Sequence, residues 1–561
     1  MTMNELSPSL TVSRHGQMFP TFDRVAIDRM RRFGEPAAYR PGERIVTAGT
    51  PAPGLVLVLS GRISITSQGF ESARVIATHS AGQFMGELAQ LSDRPSLVNA
   101  EAVEPVEGIV IPPRRLRDLI VQEAVLGERI MRALILRRVN LLESGRSGHI
   151  IVGRSDHPDV IRLQGFLTRN GQPHHVFDPD QISCARTLIE RFNVDEHHLP
   201  IVLCANGKLL RNPSESEIAR CIGLVRPIDT DKLYDVAIVG AGPAGLAAAV
   251  YAASEGLSVI NLDCRAFGGQ AGASARIENY LGFPTGISGL ALMARAANQA
   301  QKFGVEMAIP DQVHGLERPE DSGGRHVLTV GEGEKVQCRS VVVATGVRYR
   351  RPRVENLAAF EGASVHYWAS PIEAKLCGGT EAVLVGAGNS AGQAAVYLSS
   401  QVRRLTMLVR GPSLRVSMSS YLVERIEAQP NIEVMLESEL AQLHGNEGRL
   451  EAVTWRCRGE EIRRAVSHLF LFIGADPETE WLARCNLAVD AKGFILTGSA
   501  CGEARHPLET NLPGVFAIGD VRSGSIKRVA AAVGEGAQVV AALHAYLAAT
   551  PAAPTRAAVA E

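Results

Sequence analysis

Two stretches of this chain join an apolar run to glycines at spacings that can hold an anion. Asp235-Val236-Ala237-Ile238-Val239 runs into Gly240-Ala241-Gly242-Pro243-Ala244-Gly245 and then into Leu246–Ala253, a good helix former. In a strand, glycine turn and helix, the first glycine permits the tight turn and the second lets the backbone approach a pyrophosphate. The third lets helix and strand pack closely, while the helix N-terminus offers free N–H groups and a positive dipole end. A second apolar run, Ser258 to Leu262, ends at Asp263, an acid placed to take ribose hydroxyls. The pattern returns at Ala382-Val383-Leu384-Val385-Gly386-Ala387-Gly388-Asn389-Ser390-Ala391, where the run from Leu405 to Val409 ends at Arg410, with Arg415 five residues on. A cation at that point suits a 2′-phosphate, so this site favours NADPH over NADH; the plain alternative is a solvated arginine at a strand end. Near the end, Val515-Phe516-Ala517-Ile518-Gly519-Asp520 is followed by Lys527-Arg528-Val529-Ala530, opening an alanine-rich helix. That arrangement suits a ribityl chain and the edge of a flavin ring.

The rest of the composition narrows the chemistry. The 561 residues have a net charge of −1 and 45% apolar content, enough for several packed domains and without the charge excess of a nucleic-acid binder. No apolar run reaches the ~20 residues of a membrane span, and the N-terminus shows no secretion signal. Nine cysteines are scattered without a Cys-x-x-Cys pair or a metal-like cluster, which points to reduced thiols, a cytoplasmic location and no metal.

The elements before residue 230 read as two smaller domains. A helical pattern from Phe22 to Phe33 precedes short glycine-punctuated strands, among them Leu55 to Ile65 as two strands about a turn, so a compact β-barrel or roll is expected. A helix carrying Leu116, Leu119, Ile120, Ile130, Leu134 and Ile135 follows. Strands and helices then alternate from Ile150 to Cys221, making a small α/β domain. The tail from Ala549, rich in Ala, Pro and Thr, is expected to be disordered.

Residues 20–145 resemble the cyclic nucleotide-binding domain family through Gly61-Arg62, Gly86-Glu87-Leu88-Ala89 and the strand ending at Pro112. The resemblance implies that Gly86 and Glu87 hold ribose and cyclic phosphate, with an arginine nine residues past the glutamate on the phosphate. That position is Ser96, and Arg94 falls two residues early. A serine cannot supply the bidentate charged pairing, so the expectation is a regulatory or dimerising barrel with another ligand or none. No helix-turn-helix follows, against a transcription factor. Residues 148–225 resemble the thioredoxin-like family, which makes Leu199–Pro200 a cis candidate. Where that family keeps its redox pair this chain has Ser155-Asp156-His157-Pro158, so a docking or spacer role is expected.

Residues 233–547 resemble low-molecular-weight thioredoxin reductases and related two-dinucleotide-domain flavoproteins. The implied fold is multidomain: a β-roll, an α/β thioredoxin-like domain, and an FAD domain (233–350 and 477–548) interrupted by an NAD(P) domain (351–476). The resemblance implies FAD held by Gly240, Gly242, Pro243, Ala244, Gly245, Asp263, Gly269, Gln270, Asn279, Thr345, Gly346, Gly519, Asp520, Arg528, Val529 and Ala530. It implies NADPH held by Gly386, Gly388, Asn389, Ser390, Ala391, Arg410 and Arg415, and a homodimer through the FAD domain or the 115–143 helix. One departure decides the mechanism. Those reductases carry Cys-Ala-Thr-Cys shortly before the second glycine signature, where this chain has Trp368-Ala369-Ser370-Pro371. Cys377 follows without a partner in the motif and reads as a structural thiol. The expectation is an NADPH-oxidising flavoprotein that passes electrons directly to an unidentified small-molecule or protein acceptor. The alternatives are a sensor without useful turnover and a thioredoxin reductase using distant cysteines such as Cys264 and Cys377.

Overall fold

A computed structural model describes residues 15–550 except 68–73, 87–89, 91–94, 145–147, 192–193, 196–197, 205–206, 226, 319–324, 447 and 503–504. The expected disordered tail therefore lies almost wholly outside the described residues. The chain forms two compact units, one of residues 1–154, 170–227 and 298–310, the other of 155–169, 228–297 and 311–561. No helix among the described residues is long and apolar enough to cross a membrane.

The first unit contains the β-roll, built from two four-stranded antiparallel sheets. One orders Glu35–Tyr39, Val106–Ile111, Leu55–Ser60 and Phe84–Met85; the other orders Arg44–Val46, Asn99–Ala102, Ile63–Ser67 and Arg74–His79. Leu55–Ser60 and Ile63–Ser67 do not pair with each other. The turn between them switches sheets at Gly61, whose φ is +80° and whose Cβ position would lie 2.2 Å from the Pro105 carbonyl oxygen. Only glycine fits there. The expected long helix after Pro112 is two helices, Pro113–Gln122 and Ala124–Ser144. The break falls at Glu123, which is buried and paired with Arg29 and Arg32 of the first helix, Arg24–Arg31, and its C-cap. Gly127 then lets the second helix start directly against the Ile120 backbone, a Cβ there lying 2.4 Å from the Ile120 oxygen.

The same unit holds a four-stranded mixed sheet ordered His174–Phe177, His149–Val152, Ile201–Leu203, Leu209–Arg211. The Leu199–Pro200 bond is cis. Cys204, just past the third strand, and Cys221, ending the helix Glu215–Cys221, lie with their sulfurs 3.0 Å apart, the Cys221 thiol donating to Cys204. Burial raises the Cys204 thiol far above the ordinary range.

In the second unit Val259–Leu262, Leu233–Val239, Glu334–Val343 and Val515–Ala517 lie side by side, all parallel. The helices Pro243–Ser254 and Val529–Ala549 cross in close contact because Gly536 has no side chain; its Cβ position is 2.5 Å from the Ala244 oxygen. Arg339 joins the start of this unit's first sheet to the end of its last helix. Its Nη1 meets Asp235 at 2.9 Å, while Nη2 donates to the carbonyls of Leu547 and Thr550, satisfying the last turn of the long helix. A second, all-parallel sheet orders Val365–His366, His468–Leu471, Glu381–Val385, Arg404–Leu408 and Ile432–Met435, with an antiparallel three-stranded sheet from Ser438–Asn446 to Glu460–Ala465. The chain crosses to this sheet and back along an antiparallel pair, Val347–Tyr349 with Ala475–Pro477.

Inside the second sheet His366 and His468 stack at 5.5 Å between centroids, their facing nitrogens 3.2 Å apart. Burial holds both neutral, pushing His366 down to about 3 and His468 to about 4. In an unfolded chain each takes up a proton near pH ~6.5. Between that value and about 4 the unfolded chain therefore binds more protons, so stability is complete above pH ~6.5 and falls as pH drops. The unfolding free energy from urea titration is expected to be lower at pH 5.5 than at 7.5, by roughly 1 kcal/mol for each histidine. A His366→Phe variant should flatten that dependence, and an unchanged slope would sink the account.

Candidate functional site

The first glycine signature is held by backbone contacts that no side chain could share. Gly240 has φ +112° and a Cβ position 2.2 Å from the Ala344 oxygen; that of Gly245 is 1.9 Å from the Gly240 oxygen. Gly242 is different. The nearest atom to its Cβ position is the Gly269 Cα, 3.9 Å away, so nothing in the protein needs a glycine there. Gly242 is also the N-cap of Pro243–Ser254 with no side-chain cap, leaving the first-turn N–H groups to an external acceptor. The second signature repeats the division. Gly386 has φ +146° and a Cβ position 2.5 Å from the Phe472 oxygen, whereas Gly388, the uncapped N-cap of Asn389–Ser399, faces nothing within 4 Å. Two cradles of bare backbone, each with room at its middle glycine and an uncapped helix N-terminus, fit two dinucleotides.

The remaining expected residues gather mostly at the first cradle. Asp263 follows Val259–Leu262 and accepts from Ala241 N through one oxygen and from Arg265 N and Ala266 N through the other. Burial raises its carboxyl, with those three N–H groups pulling the other way. Gly268 donates to the Ala241 oxygen, which sets Gly269 against Gly242, and Gln270 donates to the Val347 carbonyl. Thr345 is fixed through Glu478 O at 2.8 Å, beside Gly346 at φ +69°. Gly519 brings the third signal in: its Cβ position is 2.8 Å from the Ala244 Cβ, and its N–H donates to Glu535 at 2.6 Å. Asp520 is half-buried, and burial raises its carboxyl. Arg528, exposed, is the N-cap of Val529–Ala549 without a side-chain bond, so the helix opens at Val529 and Ala530 with its N–H groups uncapped. Asn279 is exposed on a bend.

At the second cradle Ala391 is buried and Ser390 exposed, while the Asn389 Oδ1 accepts from Ser419 N at 2.7 Å and so ties in the loop that carries Ser419. Ser417 on that loop donates to the Ala387 carbonyl. Arg415 is committed to an exposed pair with Glu427 at 3.0 Å. Arg410 is exposed, with no hydrogen bond or ion pair among the described residues. Glu87 and Arg94 lie outside the described residues.

Where a thiol pair would stand, Trp368 donates Nε1 to Glu373 at 2.9 Å, and Ser370 caps Pro371–Leu376 in a capping box with the same carboxylate. Trp368 lies 6.1 Å from Tyr349 and beneath the Arg265 guanidinium. Cys377 is fully buried, its thiol donating to Ala374 O and raised to about 11 by burial. It is a structural thiol. Among the described residues no cluster of His, Cys, Asp and Glu could hold a metal ion. Sequence reasoning missed Arg169, which ends the helix Pro158–Arg169 and donates to the Gly269 carbonyl. No motif marks it.

Two nucleotide cradles, one in a sheet inserted between the parts of the other, define a two-domain flavoprotein oxidoreductase. The chain belongs to the pyridine nucleotide-disulphide oxidoreductase family, which residues 234–536 match, and its residues 36–123 match the cyclic nucleotide-binding domain. The thioredoxin reductase of Mycoplasmopsis pulmonis is 32% identical over 307 residues, 54% of this chain and 95% of the relative. That of Streptomyces clavuligerus is 32% identical over 318 residues, 56% of this chain and 94% of the relative. Lactococcus lactis thioredoxin reductase superposes with a TM-score of 0.52 at 27% identity, covering 56% of this chain and 99% of that one. The T. acidophilum thioredoxin reductase gives 0.51 at 28%, covering 56% and 98%.

Proposed function

We propose that this enzyme binds FAD in the first cradle and NADPH in the second, and delivers electrons to an acceptor without an internal thiol relay. The observation that supports this reading is the capped Trp368–Pro371 turn, which has no sulfur at the family's relay position. When bound, the two cofactors supply hydride transfer. The chain's own work is binding and orientation. Gly242 and Gly388 leave room for diphosphates at helix N-termini, and the uncapped end of Val529–Ala549 directs N–H groups at negative charge. Arg410 is the group for the 2′-phosphate. Removing it in Arg410→Ala should raise KM for NADPH at least about tenfold and leave that for NADH nearly unchanged, as expected for a charge-assisted hydrogen bond. Equal effects on both nucleotides would show that Arg410 does not read the 2′-phosphate.

The deciding experiment is anaerobic NADPH titration of the purified protein while following flavin absorbance. Bleaching after two electrons per FAD is expected. Uptake of four would overturn the reading and direct attention to Cys204 and Cys221. No bleaching with NADPH or NADH would leave a sensor role.

A further inference from the structure

The β-roll encloses a cavity that no part of the oxidoreductase machinery uses. About 580 Å³ of space unfilled by atoms, part of it open to solvent, is walled mainly by Val46, Ile65, Ile76, Met85, Val98 and Ala100. Among the described residues one cation lines it. Arg137, on the helix Ala124–Ser144, is 8% exposed; its Nε donates to Met18 O at 3.0 Å and its Nη1 to Gly86 O at 2.9 Å. Its plane lies over the Phe84 ring at 4.3 Å. Arg137 is among the cavity's lining residues, its Nη2 is buried without a hydrogen-bond partner, and no carboxylate pairs with this guanidinium among the described residues. A buried, uncompensated guanidinium is costly, and an entering anion offsets the cost.

The other polar groups at the wall define which anion fits. His79 is 2% exposed with Nδ1 unpartnered; burial and the neighbouring Arg137 push it down to about 3, so it is a neutral ring. Gln90 Oε1 is likewise unpartnered. Ser96, at the family's phosphate position, is turned to its own backbone, its hydroxyl donating to Val98 O and accepting from Val98 N. Asn140 also lines the cavity, and the rest of the wall among the described residues is mostly methyl and methylene groups, whereas a nucleoside cyclic phosphate brings a ribose and a base whose polar edges need many partners.

We propose that this cavity is a binding site for an apolar monocarboxylate, its carboxylate on the free Nη2 of Arg137 and its hydrocarbon body against the strand residues. The ligand thereby ties the helix Ala124–Ser144, which carries Arg137, to the sheet strand Arg74–His79, which carries His79.

The test is calorimetric titration and thermal shift on the full chain with phenylacetate and octanoate as probes. Phenylacetamide and octanamide serve as uncharged isosteres, and 3′,5′-cyclic AMP as the competing chemistry. Saturable binding of at least one acid is expected, at least about tenfold tighter than its amide, with a rise in melting temperature. Arg137→Met should lose that preference. Because Arg137 also holds two carbonyls, Ala77→Leu supplies an independent check: it fills the cavity, keeps the guanidinium and should abolish binding in a folded protein. The proposal is overturned if the amides bind as well as the acids, if neither acid saturates, if Ala77→Leu binds normally, or if cyclic AMP binds more tightly than both acids.

Discussion

A Gly242→Val variant should fold and purify almost without flavin, at least about tenfold below the wild-type absorbance ratio, while Gly388→Val should keep its flavin and lose NADPH-driven bleaching. The contrast follows from space rather than from backbone strain. At both positions an added Cβ meets nothing closer than ordinary contact, the Gly269 Cα at 3.9 Å from Gly242 and no atom within 4 Å at Gly388, so the fold tolerates it, yet it stands where the proposed diphosphate would lie. Overpacking against a ligand costs about 1–3 kcal/mol and the lost N–H contacts add to it, together roughly a hundredfold in occupancy. Dithionite should still reduce the flavin of Gly388→Val, which separates a broken nucleotide site from a broken flavin site. A yellow Gly242→Val protein with normal turnover would remove the first cradle from the mechanism. Gly240→Val is the control that fails differently: its Cβ would lie 2.2 Å from a backbone oxygen, so that chain should not fold at all.

The second large effect is expected at Glu373. This carboxylate is 3% exposed and accepts from Trp368 Nε1, Ser370 N and Ser370 Oγ. Glu373→Ala strands those donors in a turn that is itself half-buried, and each unsatisfied group costs about 1–3 kcal/mol. A loss of roughly 2–4 kcal/mol is expected from urea unfolding, with a red shift of Trp368 emission that a Trp368→Phe background removes. Glu373→Gln keeps one acceptor oxygen and should recover part of the loss. A loss below about 0.5 kcal/mol in Glu373→Ala would show that the capping box does not hold this turn.

What could be read from the sequence was what depends on near neighbours. Gly240 and Gly245 collide with atoms a few residues away or at the end of an adjacent strand, so their spacing alone announces the turn. The missing thiols at Trp368-Ala369-Ser370-Pro371 and the missing arginine at Ser96 were equally plain, because a motif is absent wherever its residues are absent. The failures share a different property. The helix after Pro112 looks continuous until Glu123 is drawn to Arg29 and Arg32 far earlier in the chain. The two strands about the turn at Gly61 are where the sequence places them, but that they belong to different sheets shows only once their partners are known. Cys204 and Cys221 are seventeen residues apart and share no motif, yet strand and helix set their sulfurs together. Arg137 was one of many arginines until the cavity beside it was visible.

The clasp made by Arg339 has an evolutionary reading. One guanidinium holds Asp235, on the first strand of the flavin-binding sheet, and Leu547 and Thr550, at the end of its last helix. The oxidoreductase therefore begins and ends at a single seam, like a loop of rope tied off on itself. A cassette of that kind can be spliced behind unrelated modules without rerouting any strand of its own, because a graft point ahead of Leu233 lies outside every sheet. Chain fusion just before Leu233 would then be a cheap genetic event, with Arg339 the fastening between the two ends of the cassette.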